Sequence, residues 1–176
     1  MTESAEKLNN HALSLFQGGQ IEESIACFKR ALTLEPENHL IWFNFGITLR
    51  DIGEISQSRA ALQRAHDLNE DDEEILDALA IACMNDGDLD SALSLCAEGL
   101  SKNELNPRLW NTFGVLYFKK DALDLACESF EHAVTLNPYY YDALFNLRDT
   151  YDELGNTAGK ERCAEQMRLI KATQSE

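Results

Sequence analysis

The sequence has little of what catalysis or metal binding requires. Its five cysteines include no Cys-x-x-Cys pair, and its four histidines place no ligand pair on one helical face, so the usual zinc spacings are missing. The sequence also contains no glycine-rich phosphate loop and no nucleophile elbow. We therefore expect no catalytic residues, no metal site and no cofactor, and we predict that the chain is not an enzyme.

Long apolar runs and basic residues are scarce as well. No stretch approaches the roughly 20 apolar residues that cross a bilayer, and residues 1–6 lack the basic and apolar regions of a signal peptide. With 15 Lys and Arg against 31 Asp and Glu, the formal net charge is −16, which repels nucleic acid and anionic membranes. We expect a cytoplasmic chain with reduced thiols that binds neither nucleic acid nor membrane.

The acidity leaves two interpretations open. It can be a solvated surface that keeps the chain soluble, or it can attract a basic protein partner. Residues 73–106 alone carry eight acidic side chains and one lysine. A basic partner would therefore contact this middle segment.

What the sequence does contain is a period of 34 residues. Glycines mark it at Gly19, Gly53, Gly87 and Gly155, and Asp121 stands where the remaining glycine is due. Five units tile the chain without insertion, at 5–38, 39–72, 73–106, 107–140 and 141–174. Such a period predicts a repeat protein whose units stack on their neighbours to form one continuous core.

The pattern of each unit predicts two helices, joined at the glycine that marks the repeat. Trp42, Phe45 and Leu49 recur at helical spacing before Gly53, and a second apolar stripe follows it. Asn38, Asp72 and Asn106 precede the first helices as N-cap residues, and Pro36 and Pro138 end second helices. We therefore predict an all-α protein of ten helices without a sheet.

Residues that recur at the same position of each repeat form a column, and the pattern of these columns resembles that of the tetratricopeptide repeat family. The residues that carry the resemblance are Trp42, Phe45, Gly46, Leu49, Gly53, Leu62 and Ala65, then Trp110, Phe113, Gly114, Tyr117, Ala126, Phe130, Ala133 and Pro138. The resemblance implies one solenoid domain over residues 1–176, a right-handed superhelix of antiparallel helix pairs. It also implies a concave groove, lined by first helices, that binds peptides or protein segments.

The packing columns predict where helices approach closely and where the pattern fails. Gly46 and Gly114 should face the second-helix positions Ser58 and Ala126, and His11 falls in a core column. In the fifth unit Arg148 and Lys160 occupy these small-residue columns. The last helix must therefore tilt or shift register, and we interpret it as a degenerate cap whose outer face is polar.

The predicted groove carries an apolar stripe with asparagines beside it. The candidate partner-binding residues are Asn10, Leu13, Phe16, Phe43, Asn44, Ile47, Ile81, Met84, Asn111, Val115, Phe118 and Asn146. Two interpretations remain open, because these apolar side chains can either broaden the core or line a binding surface. We predict a scaffold that binds a partner segment there, with a self-assembling homo-oligomer as the alternative.

Overall fold

The computed structural model describes residues 4–173, which form ten α-helices and no strand. The helices are α1 Ala5–Gln17, α2 Ile21–Leu34, α3 His39–Asp51, α4 Ile55–Leu68, α5 Glu73–Asn85, α6 Leu89–Lys102, α7 Pro107–Lys119, α8 Leu123–Leu136, α9 Tyr141–Glu153 and α10 Thr157–Thr173. Every predicted repeat contains two of them, which confirms the all-α prediction. Residues 1–3 and 174–176, at the limits of the predicted domain and fifth repeat, lie outside the described residues.

The first helices begin where the sequence places their caps. The Asn38 side-chain oxygen accepts from the Leu40 and Ile41 amides, and Asp72 and Asn106 cap α5 and α7 in the same way. These contacts satisfy amide groups that have no partner inside the first turn. The second helices α2 and α8 end two residues before Pro36 and Pro138, as predicted.

The turn inside each repeat requires a left-handed residue. Gly19, Gly53, Gly87 and Gly155 have φ angles between +71° and +86°. Asp121 takes the same place between α7 and α8, with φ of +59°. A side chain with a Cβ atom is strained in this region, whereas glycine is not.

The turn at Asp121 should therefore be the one in which a glycine lowers the backbone strain. We expect Asp121→Gly to be more stable than Asp121→Ala by about 1 kcal/mol, because only the alanine retains the Cβ atom. Both changes remove the same carboxylate, so the comparison isolates the backbone effect. Urea unfolding of the two variants measures the difference, and equal stabilities would contradict the assignment of strain to this turn.

The chain divides into two compact units, each longer than a single repeat. From here on, the first unit is residues 1–88 and the second unit is residues 89–176. In the first, Phe28 is buried and its ring centroid lies 5.4 Å from that of Phe45. In the second, Phe130 and Leu144 are buried in a cluster that α10 helps to close. Each unit thus has its own core, and the single domain inferred from the repeat pattern stays a prediction.

Small residues let the two helices of a repeat approach closely. The Ser58 hydroxyl donates to the Gly46 carbonyl at 2.7 Å, which confirms the predicted facing pair. A Cβ atom on Gly46 would lie 2.6 Å from Leu62 Cγ, and one on Gly114 would lie 2.6 Å from Phe130 Cε1. Phe130 is therefore the nearest side chain beside Gly114, and the facing of Gly114 and Ala126, which is fully buried, stays a prediction.

The fifth repeat keeps this close contact by shifting its register. Gly159, one residue before Lys160, takes the buried place, where a Cβ atom would lie 2.7 Å from Tyr151 Cδ2. Lys160 instead turns outward and pairs with Asp152 at 2.7 Å. The Arg148 guanidinium lies 4.4 Å from the Phe145 ring centroid. The predicted register shift is therefore confirmed.

Two expectations about the ends of the repeat array need correction. The outer face of α10 is not wholly polar, because Leu169 is 60% exposed and the nearby Tyr139 is 76% exposed. His11 is exposed rather than a core residue. Its equivalents Phe45 and Leu147 are buried because they pack on a preceding helix, and no described helix precedes α1.

Candidate functional site

The predicted apolar stripe lies at the boundary between core and solvent. Its half-buried members are Leu13 and Phe16 on α1, Phe43 and Ile47 on α3, Ile81 and Met84 on α5, and Val115 on α7. Phe118 is 37% exposed. Leu13 and Val115 pack against the core clusters of their units, so part of the stripe broadens the core. Phe118 retains enough exposed surface to contact another molecule.

The asparagines link neighbouring first helices within each unit. Asn44 Nδ2 on α3 donates to Asn9 Oδ1 on α1 at 3.1 Å, and Asn9 Nδ2 donates to Asn10 Oδ1 at 3.3 Å. In the second unit Asn146 Nδ2 on α9 donates to Asn111 Oδ1 on α7 at 2.9 Å. A primary amide has two donor hydrogens and an acceptor oxygen. One such bond positions each side chain and leaves it further bonding capacity.

Asn9 was not among the predicted site residues. Its signal in the sequence is an asparagine that recurs 35 residues later, as Asn111 does before Asn146. That spacing is one residue longer than the repeat, so column alignment alone does not show it.

A cleft of about 390 Å³ opens on the first-helix face of the second unit. Val115, Phe118 and Lys119 of α7 line one side, and Asn146 and Asp149 of α9 line the other, with Phe130 between them. Three predicted residues, Val115, Phe118 and Asn146, therefore share one concavity. Apolar walls beside an amide and two opposite charges can hold an apolar side chain and orient a peptide backbone.

Several acidic side chains of residues 73–106 form ion pairs within the protein or are buried. Arg59 pairs with Asp86 at 2.9 Å and with Asp88 at 2.6 Å, and these hydrogen bonds raise the Arg59 pKa. Lys120 pairs with Asp90 at 2.7 Å, while Asp77 is only 3% exposed. The acidic count of the sequence therefore overstates the negative charge available to a basic partner.

The second unit also contains a cluster of thiol, phenol and carboxylate groups. The Tyr151 hydroxyl donates to Glu131 Oε1 at 2.6 Å, and Cys127 Sγ lies 3.6 Å from the same oxygen. Burial, and then the Glu131 carboxylate, raises the pKa of Cys127 to about 12. Burial also raises the pKa of Tyr151 and of Cys163. These environments suppress the thiolate, the reverse of what a nucleophilic cysteine needs.

Cys127 should therefore react slowly with alkylating agents. A pKa near 12 leaves about one thiolate in ten thousand at pH 8, so iodoacetamide labelling should be slower than that of glutathione by more than about tenfold. Mass spectrometry of timed digests measures the rate at this residue. Labelling as fast as glutathione would show that the thiol is not held protonated.

Within positions 4–173, no group of three or more His, Cys, Asp or Glu side chains is arranged to hold a metal ion. None of the ten described helices combines the length and apolar character that a bilayer crossing requires. All five cysteines are free thiols.

Two family models match the chain. One, described as "TPR repeat", covers residues 12–49, and the other, described as "Tetratricopeptide repeat", covers residues 107–140. Each match is about one repeat long; the second coincides with α7 and α8, and the first runs from within α1 through α2 into α3. The pattern in the sequence and the models thus identify the same repeat.

Known proteins show the same likeness. The BBSome complex member BBS4 homolog of Drosophila melanogaster is 26% identical over 133 residues, 75% of this chain and 27% of the fly protein. The crystal structure of MamA matches with a TM-score of 0.78 at 17% identity, over 93% of this chain and 96% of that one. YrrB, described as a TPR protein with an unusual peptide-binding site, matches with a TM-score of 0.68 at 18% identity, over 94% and 85% of the two chains. These structures share the fold.

Proposed function

Since the chain belongs to the tetratricopeptide repeat family, we propose that it holds a segment of a partner polypeptide on the first helices of its second unit, α7 and α9. Proteins of this family act as protein–protein interaction scaffolds and are generally non-catalytic. The observation that carries the proposal is the cleft in the second unit, where Val115, Phe118 and Asn146 lie together.

The cleft has the chemistry that a peptide segment requires. Phe118 is 37% exposed, and burying one large apolar side chain contributes roughly 1.5–3 kcal/mol. Three buried apolar side chains would together contribute a gross free energy comparable to the about 8 kcal/mol of micromolar binding. The cost of ordering the segment reduces this gain. The Asn146 amide, already positioned by Asn111, can bond to the peptide backbone of the segment.

The relatives support a binding role. The fly relative is named as a member of a protein complex, and YrrB is described by a peptide-binding site. The chain spans 27% of the length of the fly protein, so its own partner need not be the same. The free thiols fit the proposed cytoplasmic location, because that compartment keeps cysteines reduced.

Capture experiments with the intact chain test this function. Immobilised chain should retain a protein partner, and Phe118→Glu should lose it while keeping the same circular dichroism spectrum. Retention by the folded variant would show that the first-helix face is not the site. The mass of the free chain measured across a dilution series tests the alternative, since a stable homo-oligomer would place a second copy on that face.

The charge of the partner can be tested in the same assay. If the partner is basic, its binding to the acidic chain should weaken steadily as salt is added, because exposed charges are screened. Binding that does not change with salt would leave the net charge of −16 as a determinant of solubility.

A further inference from the structure

A second cleft, on the opposite side of α3 from the predicted groove, combines an indole with two cations. It measures about 310 Å³, lies between α2 and α4, and has Trp42, Phe45 and Leu49 of α3 as its floor. Lys29 of α2 and Arg64 of α4 line its rim, and both side chains are exposed. Its volume is at the lower end of the range of ligand pockets, about 300–1,000 Å³.

The two cations have no acidic partner among residues 4–173. The ion pairs of the described residues engage other basic side chains, such as Arg50, Arg59 and Lys120. In a chain with 31 acidic and 15 basic residues, two unpaired cations beside one apolar cleft depart from the general balance of charge. They give this cleft a local charge opposite to that of the molecule.

The indole that forms the cleft floor is held in a fixed position. Trp42 Nε1 donates to the Pro36 carbonyl at 2.8 Å, and the ring packs against the core cluster of the first unit. The indole nevertheless remains partly exposed. A ligand can therefore contact a preformed surface without the cost of ordering it.

The equivalent position in the fourth repeat shows what closes such a cleft. Trp110 makes the same bond, from Nε1 to the Glu104 carbonyl at 2.7 Å. His132, which occupies the place of Arg64, stacks on that indole with ring centroids 4.4 Å apart. In the second repeat Arg64 stands at the rim instead, and the space above Trp42 stays open. The side chain at this second-helix position thus stacks on the indole in the fourth repeat, whereas in the second repeat it leaves the indole beside an open cleft.

We propose that the Trp42 cleft binds an acidic peptide segment of a partner protein, with an apolar or aromatic side chain on the indole and carboxylates paired with Lys29 and Arg64. The guanidinium group of Arg64 can bind a carboxylate through two parallel hydrogen bonds. An aromatic side chain gains further from offset stacking on the indole. This surface is separate from the first-helix face, and its two cations favour an acidic partner.

The indole N–H signals in a nuclear magnetic resonance spectrum give a direct test. The chain has two tryptophans, and Trp110→Phe assigns their signals. Titration with the peptide acetyl-Glu-Asp-Phe-Leu-Asp-Glu-amide should move the Trp42 signal to saturation and leave the Trp110 signal in place. Acetyl-Glu-Asp-Ser-Ser-Asp-Glu-amide and a version with lysines in place of the acids should bind at least about tenfold more weakly.

Charge-reversal variants locate the contact. Arg64→Glu and Lys29→Glu should each weaken the acidic peptide by about tenfold, because each turns an attraction into a repulsion. Lys7→Glu, on exposed α1, changes the net charge equally and should have less than about a twofold effect. All of these side chains are exposed, so the variants should fold.

Four results would overturn the proposal. The first is a Trp42 signal that does not move, and the second is a loss of binding in Lys7→Glu as large as that in Arg64→Glu. The third is displacement of the peptide by an oligodeoxythymidylate as effectively as by unlabelled peptide, which would indicate a general polyanion surface. The fourth is a Trp42 signal that moves with protein concentration alone, which would place a second copy of the chain in the cleft.

Discussion

Replacing Gly114 with leucine should lower the free energy of unfolding by about 3 kcal/mol. The first added atom alone would lie 2.6 Å from Phe130 Cε1, and Phe130 is buried, with an exposure of 1%. Helices α7 and α8 would have to separate, which would disturb the core of the second unit. Gly46→Leu should act similarly through Leu62, which is fully buried.

Urea unfolding measures this effect against a matched control. Ala26→Leu adds three of the same four side-chain carbons at an exposed position of α2, where surface substitutions usually stay within about 0.5 kcal/mol. Gly114→Ala should fall between the wild type and Gly114→Leu. If Gly114→Leu unfolds at the wild-type urea concentration, the close approach of these helices is wrong.

Replacing Phe118 with glutamate should weaken partner binding by about a hundredfold, because a charge replaces an apolar contact in the cleft. The folded chain should lose little stability, since the side chain is 37% exposed and exposed residues contribute little to folding. Leu125→Glu is the matched control, because Leu125 is 45% exposed on the second helix α8. It should leave binding unchanged.

Titration of a captured partner segment with each variant checks this result. Equal losses for Phe118→Glu and Leu125→Glu would indicate a general effect of added negative charge. A loss of helical signal in Phe118→Glu alone would show that Phe118 belongs to the core. In that case Phe43→Glu, on the first-helix face of the first unit, provides the second test.

The fold was predictable from the sequence because its determinants are local. Asn38, Asp72 and Asn106 cap the helices that directly follow them, and the turn column requires a left-handed residue at a fixed place in each repeat. The register shift of α10 followed from the size of Lys160. The residue that replaces it, Gly159, depends on how α10 rotates over Tyr151, which column alignment cannot give.

The candidate sites were only partly predictable, because they depend on side chains from different helices. Val115, Phe118 and Asn146 follow from their columns, but Lys119 and Asp149 join the cleft through the spacing of α7 and α9. The openness of the Trp42 cleft depends on whether the side chain on the neighbouring helix stacks, as His132 does, or stays at the rim, as Arg64 does. The residue type alone does not show which arrangement is adopted.

Photocrosslinking from single positions tests the central claim most directly. A photoreactive phenylalanine at position 118 lies in the cleft between α7 and α9, and one at position 125 lies on a second helix with similar exposure. The account predicts that the partner crosslinks through position 118 and not through position 125. Crosslinking through position 125 but not position 118 would contradict binding on the first-helix face.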